Sequence, residues 1–199
     1  MRIKTLLVIA AATILLAWAP MTFAQNLLTN GSFEADGGSF TGWTTGGNFE
    51  DTEVVSGAFY EYTGAEDGNF YAALGPVGSD GTLSQTFNDQ AGAQYTISFW
   101  FASVGDNPSD FSVAWDGNTL LSFTNPNTGS SWTQFTLQAP GTGTDTLTFS
   151  FRDDPGYIAL DNVSVTAQSG GTVPEPSSIL LLGSGVLAMA GVIRRKIGR

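Results

Sequence analysis

Carboxylates, amides, hydroxyls and aromatic rings are the groups left to do chemistry in this 199-residue chain, which has no His and no Cys. That composition excludes Ser-His-Asp and Cys-His nucleophiles, disulfides, and zinc, copper, haem or iron–sulfur sites built from their usual ligands. Two carboxylates roughly 5–10 Å apart could still hydrolyse a glycosidic bond. The adjacent acidic pair near the last strands, Asp153-Asp154, stands before Pro155-Gly156 and reads better as a turn. Aromatic rings suit sugar binding, in which the apolar C–H side of a sugar packs on an aromatic face while its hydroxyls bond to amides and carboxylates. Trp100, Trp132 and Tyr60 are the candidates for such ligand contacts. Arg152 is the single basic residue between Thr5 and Ile193. It either pairs with a nearby carboxylate or offers its guanidinium to a ligand.

Strands must position these side chains. No ten-residue stretch between 25 and 173 carries a helical apolar stripe, and short alternating runs stand between turn signals instead. Tyr95, Ile97, Phe99 and Phe101 alternate with Thr96, Ser98, Trp100 and Ala102, which puts Trp100 opposite the apolar face. Trp132 is out of phase with Phe135 and Leu137, and Arg152 with Phe149 and Phe151. Trp115 continues the Phe111–Val113 face and belongs in the core. The expected strands are 27–33, 53–60, 69–74, 82–87, 95–102, 111–115, 119–124, 132–138, 146–152 and 157–166. Ten short strands without a helix imply an all-β fold, a two-sheet β-sandwich of jelly-roll type.

The ends carry different signals. Residues 1–24 read as a signal peptide: Arg2 and Lys4 precede an apolar run from Leu6 to Trp18, and Thr22-Phe23-Ala24 offers a cleavage site. The domain follows at 25–168, then a linker at 169–177. Residues 178–193 form a second apolar run, about 24 Å long as a helix, which spans a membrane with help from snorkelling cations. The basic stop Arg194, Arg195 and Lys196, in the tail 194–199, stays cytoplasmic by the positive-inside rule.

Val173-Pro174-Glu175-Pro176-Ser177, the apolar helix and the Arg-rich terminus together resemble the PEP-CTERM sorting tail of Gram-negative bacteria. The resemblance implies that Pro174, Glu175 and Pro176 are recognised by a membrane-bound exosortase-like partner that cleaves the tail. An ordinary single-span anchor behind a stiff Pro-rich spacer is the alternative. Between the ends, Asn26-Leu27-Leu28-Thr29-Asn30-Gly31-Ser32-Phe33-Glu34, then Gly42-Trp43, Leu83-Ser84-Gln85-Thr86-Phe87, Tyr95-Thr96-Ile97-Ser98-Phe99 and Leu160-Asp161-Asn162-Val163-Ser164-Val165 follow in an order similar to carbohydrate-binding-module jelly rolls of the fourth and ninth families. That family packs a structural Trp where Trp43 stands. It also holds a structural calcium ion between its first and last strands; Glu34 and Asp161 match those ligand positions, and Asp67 is the candidate third oxygen. Calcium takes six to eight hard oxygens, so carbonyls would complete such a site. Alternatively, Glu34 and Asp161 bond backbone N–H groups at strand ends.

The sorting tail and the module resemblance imply an exported protein, on the cell surface or associated with exopolysaccharide, that binds a polysaccharide and is not an enzyme. Two alternatives are a structural envelope or biofilm-matrix protein without a specific ligand and, further off, a glycoside hydrolase. The full chain is −11, but residues 25–173 hold 17 acidic side chains and one Arg, a net of −16. That charge disfavours nucleic acid as a partner and favours a hydrated, cation-binding surface.

Overall fold

Period-two alternation becomes ten antiparallel strands in the computed structural model, which describes residues 25–168. The signal sequence, the linker, the apolar helix and the basic tail expected from sequence lie outside the described residues. The strands are β1 (Thr44–Gly47), β2 (Thr52–Ser56), β3 (Phe70–Leu74), β4 (Gly81–Asn88), β5 (Gln94–Val104), β6 (Ser109–Trp115), β7 (Asn118–Thr124), β8 (Asn127–Pro140), β9 (Thr144–Asp153) and β10 (Ile158–Ala167). They form two five-stranded sheets, ordered β1-β4-β9-β6-β7 and β2-β3-β10-β5-β8. Among the described residues there is no α-helix, only a 3-10 turn at Ala35–Gly37, and no helix long and apolar enough to cross a membrane.

The core lies between the sheets and is largely aromatic. Phe99 on β5 stacks on Phe135 at 5.6 Å and meets Phe149 of the opposite sheet edge-on at 5.5 Å; Phe111 lies 4.7 Å from Phe101. Such pairs add to the roughly 2 kcal/mol contributed by burying each ring. Trp43 and Trp115 are core residues, as their positions suggest.

Three strand expectations change. Residues 27–33 form turns, not a strand, because Asn30 and Phe33 take positive φ. The segment is nevertheless tied into the sandwich: Leu27 N–H donates to Val165 O, Val163 N–H donates to Gly31 O, and Gln85 exchanges two hydrogen bonds with the backbone of Thr29. Gly31 approaches β10 so closely that a Cβ there would collide with the Val163 carbonyl oxygen, which explains glycine in that motif. The second strand stops at Ser56, since Gly57 and Tyr60 have positive φ. Thr44–Gly47, an exposed Gly-containing edge, pairs with β4 although its sequence carries no apolar alternation.

Candidate functional site

The outer face of the second sheet divides into two halves. In one, Ala73, Ala159 and Ala102 stand side by side on β3, β10 and β5 and make a floor of small side chains. Rings lie over that floor: Tyr62 meets Tyr71 at 6.5 Å, and Tyr71 meets Trp132 at 5.6 Å, both edge-on. The loop 57–69 covers them. Trp132 donates its indole N–H to Gly64 O at 3.0 Å, and the buried Tyr62 hydroxyl bonds to the carbonyls of Tyr157 and Ala102. Burial raises the Tyr62 phenol, with Asp153 and Asp106 adding to it. Trp132 is therefore half-buried under the protein's own loop.

The other half is open and polar. Trp100 pairs across the sheet with Asp161 on one side and Gln134 on the other, and Ser98 pairs with Thr136 and Ser164. Gln134 reaches back to the Ser98 hydroxyl at 3.0 Å. Trp43, Trp115 and Trp132 each donate the indole N–H to a backbone carbonyl, at 2.9, 3.1 and 3.0 Å. Trp100 makes no such bond among the described residues, and its ring is partly exposed.

Glu34 and Asp161 are brought to the same loop but not into a cage of oxygens. Glu34 Oε1 accepts the N–H groups of Asn69 and Phe70 at 2.6 and 2.7 Å. Asp161, fully buried, accepts Glu66 and Asp67 N–H on Oδ2 and Asn162 N–H on Oδ1, at 2.8, 3.0 and 2.7 Å. Asp67 thus faces Asp161 with its amide, and Asn162 donates to Glu66 at 2.9 Å. Burial pushes the Asp161 carboxyl up to about 7 against the pull of these amides. Among the described residues no group of three or more acidic, His or Cys side chains is placed to hold a metal. The donor set at Glu34, Asp67 and Asp161 is one of N–H groups satisfying carboxylates, and it does not fit a calcium cage as it stands.

Tyr60 lies at the end of the sandwich and is 46% exposed. Its hydroxyl donates to Asp106 at 2.9 Å, which pushes the phenol up to about 12, and its ring lies 5.5 Å from Tyr157. A chain of ring contacts through Tyr62 and Tyr71 links Tyr60 to Trp132, but Trp100 and Arg152 stand apart. Arg152 holds Asp154 through Nε at 2.8 Å and Nη2 at 2.5 Å, and Asp154 also accepts Gly78 N–H at 3.1 Å. Asp153 points the other way. It is fully buried, and among the described residues neither carboxylate oxygen has a hydrogen-bond partner. At the far end of β9, Asp145 bonds to Thr142 and contacts the carboxyls of Asp89 and Asp116, whose own affinities for protons are raised by burial and by Asp145. Asp106 and this second cluster do not stand out as sites in the sequence, and the Asp153-Asp154 pair, read there as a turn, does not by itself show that Asp153 is buried. The one signal there is phase: Asp145 and Asp153 alternate in step with Leu147, Phe149 and Phe151, so both face inward.

Residues 172–196 match the PEP-CTERM protein-sorting motif. The match contains Pro174, Glu175 and Pro176 and the Arg194–Lys196 run, and it marks an exported, surface-directed bacterial protein. No protein with a curated description matches the chain. Among solved structures, TmCBM61 in complex with beta-1,4-galactotriose is 20% identical with a TM-score of 0.56, covering 73% of this chain and 100% of that one. A cyclase from Fischerella sp. TAU is 16% identical at 0.53, covering 75% and 100%. The K1 cleaved adhesin domain of Lys-gingipain from Porphyromonas gingivalis W83 is 16% identical at 0.50, covering 75% and 100%. The fold is a β-sandwich of the carbohydrate-binding-module type. A binding module, a cyclase and an adhesin domain share it, so the site and not the fold must argue function.

Proposed function

We propose that the exported domain is a non-catalytic glycan-binding module, carried to the cell surface by its sorting tail and processed there by an exosortase-like enzyme. The observation that carries the reading is Trp100: a partly exposed indole, free of any backbone carbonyl among the described residues, on a strip of hydroxyl and amide side chains. That combination offers one aromatic face for the C–H side of a sugar and Ser98, Gln134 and Thr136 for its hydroxyls. Against catalysis stands the split of the acidic pair near the last strands, with Asp153 buried and Asp154 engaged by Arg152. Affinity electrophoresis and a glycan array, with β-1,4-galactan among the polysaccharides and with calcium or EDTA, test the proposal. Binding by the parent and its loss in Trp100→Ala would support it; binding unchanged in Trp100→Ala would move the site elsewhere. Failure of every polysaccharide to bind would favour the structural envelope or matrix role.

A further inference from the structure

Asp153 ends β9 in phase with Phe149 and Phe151 and so projects into the end of the space between the sheets. Its exposure is 0%, and among the described residues neither oxygen has a donor. The hydroxyl nearest along the sheet belongs to Ser109, its cross-strand partner, and that hydroxyl is engaged by Asp106 O at 2.7 Å. Arg152, the one basic residue of the domain, is engaged by Asp154. An ionised carboxylate with neither a donor nor a countercharge is the least tolerable group a protein interior can hold.

A second carboxylate closes on the same place. Asp106 Oδ2 accepts the Tyr60 hydroxyl, and a Cβ on Gly156 would collide with that oxygen, so the loop 105–108 lies directly against the loop 153–157. Burial, then Asp106 and Asp154, push the Asp153 carboxyl up to about 7. The Tyr60 hydroxyl serves Asp106 alone, and among the described residues nothing compensates Asp153. The groups that meet here are oxygens: the carboxylates of Asp153 and Asp106 and the Tyr60 hydroxyl. Hard divalent cations are bound by such donors, with water completing the coordination.

We propose that the loops 105–108 and 153–157 form a binding site for calcium, held by the carboxylates of Asp153 and Asp106. The site is distinct from the Glu34–Asp161 pair, whose oxygens face amide donors, and it does not rest on the glycan reading, since Trp100 takes no part in it. Bound calcium would supply the countercharge Asp153 lacks and fasten two loops that each cross from one sheet to the other, β5 to β6 and β9 to β10, holding Tyr60 beside them.

Terbium is the probe, because it replaces calcium and its emission is sensitised by a nearby phenol; Tyr60 bonds to Asp106, and its ring lies against Tyr62 and Tyr157. The full chain in detergent is titrated with terbium, then with calcium as competitor, for the parent and for Asp153→Asn, Asp106→Asn, Asp161→Asn and Asp145→Asn. The expected result is sensitised emission displaced by calcium, weakened about tenfold or more in Asp153→Asn and Asp106→Asn as a charged ligand is lost, and retained in Asp145→Asn and Asp161→Asn. Calcium should also raise the parent's melting temperature by about 5 °C over EDTA. Absence of both emission and thermal shift would overturn the proposal. So would parent-like affinity in Asp153→Asn and Asp106→Asn, or a loss confined to Asp161→Asn or Asp145→Asn. Should Asp153→Asn fail to fold, Asp106→Asn in its surface loop decides.

Discussion

Asp161 and Asp153 lie eight residues apart, both are fully buried, and burial pushes each carboxyl up to about 7. Their surroundings are opposite. Asp161 receives three backbone N–H bonds from Glu66, Asp67 and Asn162, and so pins the loop 57–69 to β10. Asp153 receives none among the described residues and faces another acid. The same residue type at the same depth is thus a fastener in one place and an unmet demand in the other. What separates them is whether a loop turns its amides or its oxygens inward.

The largest expected effect is the loss of the fastener. Asp161→Ala strands three amides and should cost about 3 kcal/mol or more in urea unfolding. Asp153→Asn, measured in EDTA above pH 7, should cost little or stabilise the protein, because there it replaces an unpaired charge by a neutral amide of the same shape. Equal losses would erase the contrast. Next comes the pH dependence. A carboxyl raised from about 4 in the unfolded chain to about 7 keeps a proton in the folded state that the unfolded chain has released. Stability should therefore be greatest below about pH 4 as far as these two groups are concerned, and fall as pH rises towards 7. The facing charges are Asp106 and Asp154 for Asp153, and Glu66 for Asp161. In EDTA, urea midpoints across that range should fall less steeply in Asp153→Asn than in the parent, and saturating calcium should flatten the parent's slope.

Two smaller comparisons sharpen the division of the outer face. Trp132→Ala opens a hole under the loop and removes the bond to Gly64, so a loss of about 3 kcal/mol is expected. Trp100→Ala should stay within about 1 kcal/mol of the parent while abolishing glycan retention. Arg152→Ala should lower the melting temperature by a few degrees and no more, because the Arg152–Asp154 pair is part-buried and Asp154 keeps its bond from Gly78 N–H.

The strands of the core were readable because Ile97, Phe99 and Phe101, or Leu147, Phe149 and Phe151, repeat with the period of a pleat. The same phase placed Trp100 outward and Arg152 away from the core. Trp132 shows the limit of that reading. Its phase says that it faces outward, but not that the loop 57–69 folds back over it, since the covering contact joins Gly64 and Trp132 across 68 residues. The segment 27–33 has apolar residues and no ladder, because Asn30 and Phe33 adopt positive φ to let Gly31 press on Val163. The motifs that look functional in a linear reading, Asn30-Gly31-Ser32-Phe33-Glu34 and Leu160-Asp161-Asn162, are joined by backbone bonds, and their conspicuous carboxylates serve amides.

By itself the sequence determined three things: an acidic, cysteine-free domain, its all-β class, and a sorting tail. Composition, period-two alternation and short contiguous motifs are local properties and survive in a string of letters. The tertiary structure alone decided which carboxylates are satisfied, which tryptophan is covered by a loop, and which loops meet. Those outcomes depend on the direction in which backbone N–H and C=O groups point after distant segments pack together, and no local pattern encodes that direction.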